Sequence, residues 1–181
     1  MQKRFFIIVL FSLVLSSTFA EVDPPNYNFS LDSLKIFFPG KNFAEIQKKY
    51  PKSEKVEGNQ KDGIYKYYVA QIRYKFPVFV QYKNSQVVDF YARLPSYFLH
   101  DVFHQSMINR YGKQDQYFKK LNSAVYIWNN EDGIRFTYSG SCTINCFPMY
   151  LTGMKADGTF QGQAIDPLLN KFKFPQEKPK I

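Results

Sequence analysis

Ile64-Tyr65-Lys66-Tyr67 and, shortly after, Ile72-Arg73-Tyr74-Lys75-Phe76-Pro77-Val78-Phe79-Val80 decide how this chain folds. From Ile72 to Tyr82 the apolar side chains fall on alternate positions, Phe79 excepted, and a period of two is the pattern of a strand with one buried face. The same succession returns downstream. Ile64-Tyr65-Lys66-Tyr67 recurs 61 positions later as Val125-Tyr126-Ile127-Trp128, and Ile72-Arg73-Tyr74 recurs 62 positions later as Ile134-Arg135-Phe136. Upstream, Lys49-Tyr50-Pro51-Lys52 matches Arg110-Tyr111-Gly112-Lys113, again at 61. Phe76-Pro77-Val78-Phe79-Val80 and Phe147-Pro148-Met149-Tyr150-Leu151 lie 71 apart, so the register jumps by 9 residues (71 minus 62) within the second copy. That jump holds Cys142 and Cys146. An internal repeat constrains architecture ahead of any motif.

Each strand region is preceded by a helical one. From the cap residue Asn42, the residues Phe43, Ile46 and Tyr50 recur at helical spacing until Pro51 ends the pattern. Lys52 to Gly63 is polar and reads as a loop. Leu99, Val102, Phe103 and Met107 give the second helix, Ser96 to Tyr111, an apolar face, and Gly112 reads as its C-terminal cap. Lys83-Asn84-Ser85 reads as a hairpin leading back through Gln86 to Ala92, and Asp132-Gly133 is a second hairpin signal. Pro77 requires a bulge or an unpaired edge where it lies. The expected fold is α+β, with two tandem helix-plus-antiparallel-meander units forming one sheet and helices on one face. The other face is left for solvent or a partner. The segments are a signal peptide over 1–20, an extended leader over 21–41, and a first unit over 42–95. A second unit with the cysteine insertion follows over 96–165, and then a basic, proline-containing tail over 166–181.

Lys3 and Arg4, the apolar run Phe5 to Leu15 and the small residues around Ala20 have the form of a secretory signal. Export to a periplasm or the exterior, with cleavage near Ala20, is expected. The apolar run falls short of the roughly 20 residues that span a bilayer, and no later segment is continuously apolar. Loss of Lys3 and Arg4 lowers the formal charge from +9 to +7, which favours an acidic partner or a weak contact with an anionic surface.

A helix, a polar loop and then strands carrying Tyr-x-Tyr or Tyr-x-Trp are given twice. The first copy runs through Ala44-Glu45-Ile46-Gln47-Lys48-Lys49-Tyr50-Pro51 and Tyr65-Lys66-Tyr67. The second runs through Gln105-Ser106-Met107-Ile108-Asn109-Arg110-Tyr111-Gly112 and Tyr126-Ile127-Trp128. Across residues 41–165 this arrangement resembles the β-lactamase inhibitor protein family and, unit by unit, the small outer-membrane assembly lipoproteins. The resemblance implies a curved sheet whose aromatic face grips another protein, without chemistry of its own. The lipid-bearing cysteine of the lipoproteins is missing here.

Aromatic residues make up 19% of the chain, enough either to fill a sheet core or to furnish a binding face. The candidate binding residues are Tyr65, Tyr67, Tyr126 and Trp128. Cys142 and Cys146, three residues apart in an exported chain, are expected to form a disulfide that shapes a small loop. Their spacing differs from Cys-x-x-Cys, and no His or Lys beside them would activate a thiol. His100 and His104, four apart on a helix, could share a metal as in His-Glu-x-x-His, with Asp101 following the first histidine. That alternative, a small metal-dependent hydrolase, needs a carboxylate as third ligand, and the sequence does not single one out. Asp89, within Val87-Val88-Asp89-Phe90-Tyr91, is expected on the wet face. In Ile72-Arg73-Tyr74-Lys75-Phe76 the basic and aromatic side chains alternate to opposite faces, which argues against nucleic-acid binding. The expected function is a non-catalytic, cofactor-free protein binding another exported or envelope protein through an aromatic-rich sheet face. A further alternative is a structural envelope protein held by its basic tail.

Overall fold

The computed structural model of the chain describes residues 31–71, 74–94, 100–120, 123–140 and 149–172. Eight strands form one antiparallel sheet: β1 (Glu54–Gly58), β2 (Gly63–Gln71), β3 (Tyr74–Lys83), β4 (Gln86–Leu94), β5 (Gln116–Lys120), β6 (Ser123–Glu131), β7 (Ile134–Gly140) and β8 (Met149–Lys155). Their spatial order is β1-β2-β3-β4-β8-β7-β6-β5. Each run of four is a meander, and the two meet at the centre, where Tyr91 of β4 faces Thr152 of β8. Helix α1 (Phe43–Lys49) precedes β1, and helix α2 (His100–Tyr111) stands between β4 and β5. A two-stranded hairpin, β9 (Thr159–Phe160) with β10 (Gln163–Ala164), and a short helix α3 (Leu168–Lys171) follow β8.

Local chemistry sets these boundaries. Asn42 caps α1 by accepting the Ala44 N–H at 2.9 Å, and Pro51 follows its end. Gly112, at φ 78°, terminates α2 and donates its N–H to the Ile108 carbonyl. Asn84 and Ser85 both take positive φ between β3 and β4, as do Asp132 and Gly133 between β6 and β7. Such two-residue turns have the twist that joins antiparallel strands without splaying them. Pro77 faces Tyr68 of β2, while the pairing of β3 with β4 begins one residue later at Val78, so the missing N–H costs no ladder bond there.

Alternation divides the sheet into two faces. Tyr65, Tyr67, Val78, Val80, Phe90, Tyr126, Trp128, Tyr138 and Leu151 share the main core with Phe43 and Ile46 of α1 and Phe103 and Met107 of α2. The second face carries a smaller cluster of Ile64, Tyr91 and Leu168, with Phe79, Tyr150, Leu169 and Phe172 against it. Gly153 stands at the centre of β8, where an added Cβ would collide with the Phe90 ring and meet Phe136 at 3.1 Å. Gly153→Val is therefore expected to cost about 1–3 kcal/mol through overpacking, read as a lowered urea midpoint at unchanged slope.

Several expectations need correction. Residues 31–34 are helical and Lys35–Phe37 form a 3-10 turn, so this part of the leader is not extended. Leu31, Leu34 and Phe37 face the core, and Asp32 accepts an ion-pair bond from Arg110 at 2.7 Å, which gives the segment both an apolar and an ionic reason to coil. Glu54–Gly58 is a strand rather than loop. Every one of its residues is exposed, so it carries no hydrophobic alternation. After β8 the chain forms the small β9–β10 hairpin, which is separate from the eight-stranded sheet. The start of the tail is helix α3, which covers part of the second face, so not every helix lies with α1 and α2. Residues 141–148, with Cys142 and Cys146, lie outside the described residues.

Candidate functional site

The four aromatic residues singled out from the sequence lie in the core. Tyr67 and Trp128 are 0% exposed, and Tyr65 and Tyr126 are nearly as buried. Phe43 of α1 packs edge-on against Tyr65 and Tyr82, and His104 of α2 stands 4.0 Å, ring to ring, from Tyr126. The Tyr67 and Tyr82 hydroxyls hydrogen-bond to each other at 3.0 Å, and burial raises the pKa of both. Trp128 donates its indole N–H to the Gly112 carbonyl at 2.9 Å, tying β6 to the end of α2. These residues belong to the core, because α1 and α2 cover the face of the sheet on which they lie.

His104 is also engaged. Besides its contact with Tyr126, its Nε2 lies 3.4 Å from Gln114 Oε1. His100 opens α2, but its side chain is outside the described residues. Among the described residues no three His, Cys, Asp or Glu side chains converge as a metal site would need.

Two surfaces stand out among the described residues. The first is the outermost strand, β5. Tyr117 is 49% and Phe118 56% exposed, and Gln116 and Lys119 beside them are exposed as well. Pairing of Tyr117 with Tyr126 puts its ring on the helix-bearing side, 5.1 Å from the Tyr126 ring. Phe118 faces the other way, next to Val125. β5 ends the strand order, and no described strand covers its outer edge.

The second surface is the junction of α3 with the second sheet face. Asp89 of β4 is 1% exposed and accepts hydrogen bonds from the backbone N–H groups of Leu168 and Phe90. Burial dominates and pushes its carboxyl up to about 7, Lys171 opposing the shift and Asp166 adding to it. Asp89 is therefore not on a wet face: α3 docks over it from 79 residues away, a contact that local sequence cannot signal. Opposite Asp89, Gln81 of β3 is 6% exposed, and its Oε1 has no hydrogen-bond donor among the described residues. Gln81 lines a recess of about 230 Å³ with Lys83, Phe160, Asp166 and Lys171. A neighbouring recess of about 120 Å³ is lined by Gln81 with Glu57, Asp62 and Lys171.

Neither surface joins a nucleophile to an activating base. Among the described residues no helix is long and apolar enough to cross a membrane. No protein-family model matches this chain, and no curated protein or solved structure matches it.

Proposed function

We propose that this is an exported, non-catalytic binding protein built of two tandem helix-plus-meander units, and that it recognises its partner through the outer edge of β5. The tandem reading is supported by the paired sequence repeats and by the strand order, four strands read outward on either side of the β4–β8 pair. Export is supported by the form of residues 1–20.

The observation that carries the binding role is the pair Tyr117 and Phe118, consecutive and exposed on opposite faces of a strand whose outer edge no described strand pairs. A free edge offers backbone N–H and C=O groups to an incoming strand, and aromatic side chains supply contact area on either side of it. Lys119 and Lys120 complete the strand and Lys113 precedes it, so the occupant that fits is an extended, acidic segment of another protein. The basic pair also blunts indiscriminate edge-to-edge association.

Tyr117→Ala together with Phe118→Ala should change stability by no more than about 1 kcal/mol, since both side chains are exposed. The double variant should also lose at least tenfold in affinity for an acidic extended peptide selected on the native protein. Calorimetry and titration of the same preparations check both halves. Undiminished affinity would remove β5 from the interface.

A further inference from the structure

Helix α3 has the geometry of an occupant as much as of a structural element. It is four residues long, and its segment touches the second face through Leu168, Leu169 and Phe172. The Phe172 ring lies 4.4 Å from Phe79 and 5.6 Å from Tyr91, and Tyr91 in turn lies 5.4 Å from Tyr150. The first N–H of α3 is received by Asp89 from below. None of these contacts reaches the main core, which forms on the opposite face. The connection that carries α3 turns at Gly158 and Gly162, both at positive φ, and Pro167 precedes its first residue. A segment held by a few apolar side chains, one capping bond and the part-exposed Lys171–Glu57 ion pair at 3.3 Å opens at lower free energy than the sheet beneath it.

The cover also fits imperfectly. The Oε1 of Gln81 is buried beside it without a donor among the described residues, although buried acceptors are almost always satisfied. Lys83, Lys171 and Asp166 stand around the adjoining recess, and the α3 segment leaves that space unfilled. A ligand that reproduces the α3 contacts and adds a hydrogen-bond donor at Gln81 would make every bond the cover makes and one more.

We propose that the aromatic groove of Phe79, Tyr91 and Tyr150, with Asp89 and Gln81 at its end, is a second recognition site, held in cis by Asp166–Phe172 and open in trans to a partner's helical turn. That turn carries two consecutive aliphatic residues, an aromatic residue four positions after the first of them, free backbone N–H groups at its start for Asp89, and a donor side chain for Gln81. The site is separate from the β5 edge and does not depend on it.

The probe is a labelled synthetic peptide with the sequence of residues 166–172, titrated against the full chain and against full-length Leu168→Ala/Phe172→Ala. The variant weakens the cover and leaves the groove intact. The variant should bind the peptide saturably and at least tenfold more tightly than the native chain, and a peptide with Ala in place of its Phe should not bind. Equal binding by both proteins, or binding by neither, overturns the proposal. So does a concentration-dependent dimer of the native chain that Leu168→Ala/Phe172→Ala abolishes, because the occupant would then be a second copy. Hydrogen exchange on the native chain gives an answer that needs no variant. Amides of Leu168–Phe172 should exchange at least a hundredfold faster than those of Phe90–Ala92, and exchange of both groups at one rate would make α3 a fixed part of the fold.

Discussion

Trp128→Ala should cost about 3–5 kcal/mol, a large fraction of the roughly 5–15 kcal/mol a domain ordinarily has. Trp128 is among the largest fully buried side chains, and its indole N–H holds the carbonyl of Gly112 at the end of α2. Its loss leaves a cavity on the core face between β6 and α2 and removes the donor for that carbonyl. Trp128→Phe, which keeps most of the volume, should cost less than half as much. Urea unfolding followed by far-ultraviolet circular dichroism gives both values. A contact residue on an open face would behave oppositely, leaving the stability within about 0.5 kcal/mol of native when changed to Ala. The comparison thus separates a core role for Tyr65, Tyr67, Tyr126 and Trp128 from the binding role suggested by sequence.

Stability should fall as pH rises from 4 to 7, and Asp89→Asn should flatten that fall. The Asp89 carboxyl goes from its ordinary 3.8 to about 7 in the folded chain, chiefly because it is desolvated. Below pH 4 both folded and unfolded forms hold the proton. Between the two values only the folded form holds it, so each unit of rising pH disfavours folding by about 1.4 kcal/mol. The total is about 4 kcal/mol, reached near pH 7 and constant above it. The loss is shared between global stability and the docking of α3, because undocking hydrates the carboxylate. An amide at this position keeps an oxygen for the Leu168 N–H and cannot ionise. Asp89→Asn should therefore equal or exceed the native chain in stability at pH 8, and its profile should lack the decline. Asp32, held near 2 by Arg110 and Lys35, and Asp157, lowered by the Thr159 N–H, act in the opposite sense at more acid pH. Parallel profiles of the native chain and Asp89→Asn between pH 5 and 8 would mean that Asp89 is hydrated.

Elements governed by local chemistry were legible before the structure. The Asn42 cap and Pro51 bound α1, Gly112 ends α2, and the turns at Asn84-Ser85 and Asp132-Gly133 join the strands that the alternation marks. Alternation also sorted Tyr65 with Tyr67 and Tyr126 with Trp128. It states that such residues share a face, not which face the helices take. β1 escaped because a wholly exposed edge strand has no apolar period, and it exists by pairing with β2. α3 escaped because four residues are too few for a helical pattern. Asp89 could not be read because its burial comes from a segment far along the chain. The exposed pair Tyr117-Phe118 was in plain view as an aromatic doublet before two lysines, and only the strand order shows that it stands at an edge.

The proposed binding role rests on β5, and amide protection tests it most directly. Peptides selected from a random library on the full-length protein would be added at saturation, and hydrogen exchange compared with and without them. Acid-rich, extended peptides should emerge, and new protection should appear along Gln116–Lys120 and vanish in Tyr117→Ala/Phe118→Ala. Selected peptides that leave Gln116–Lys120 unprotected would contradict recognition through this edge.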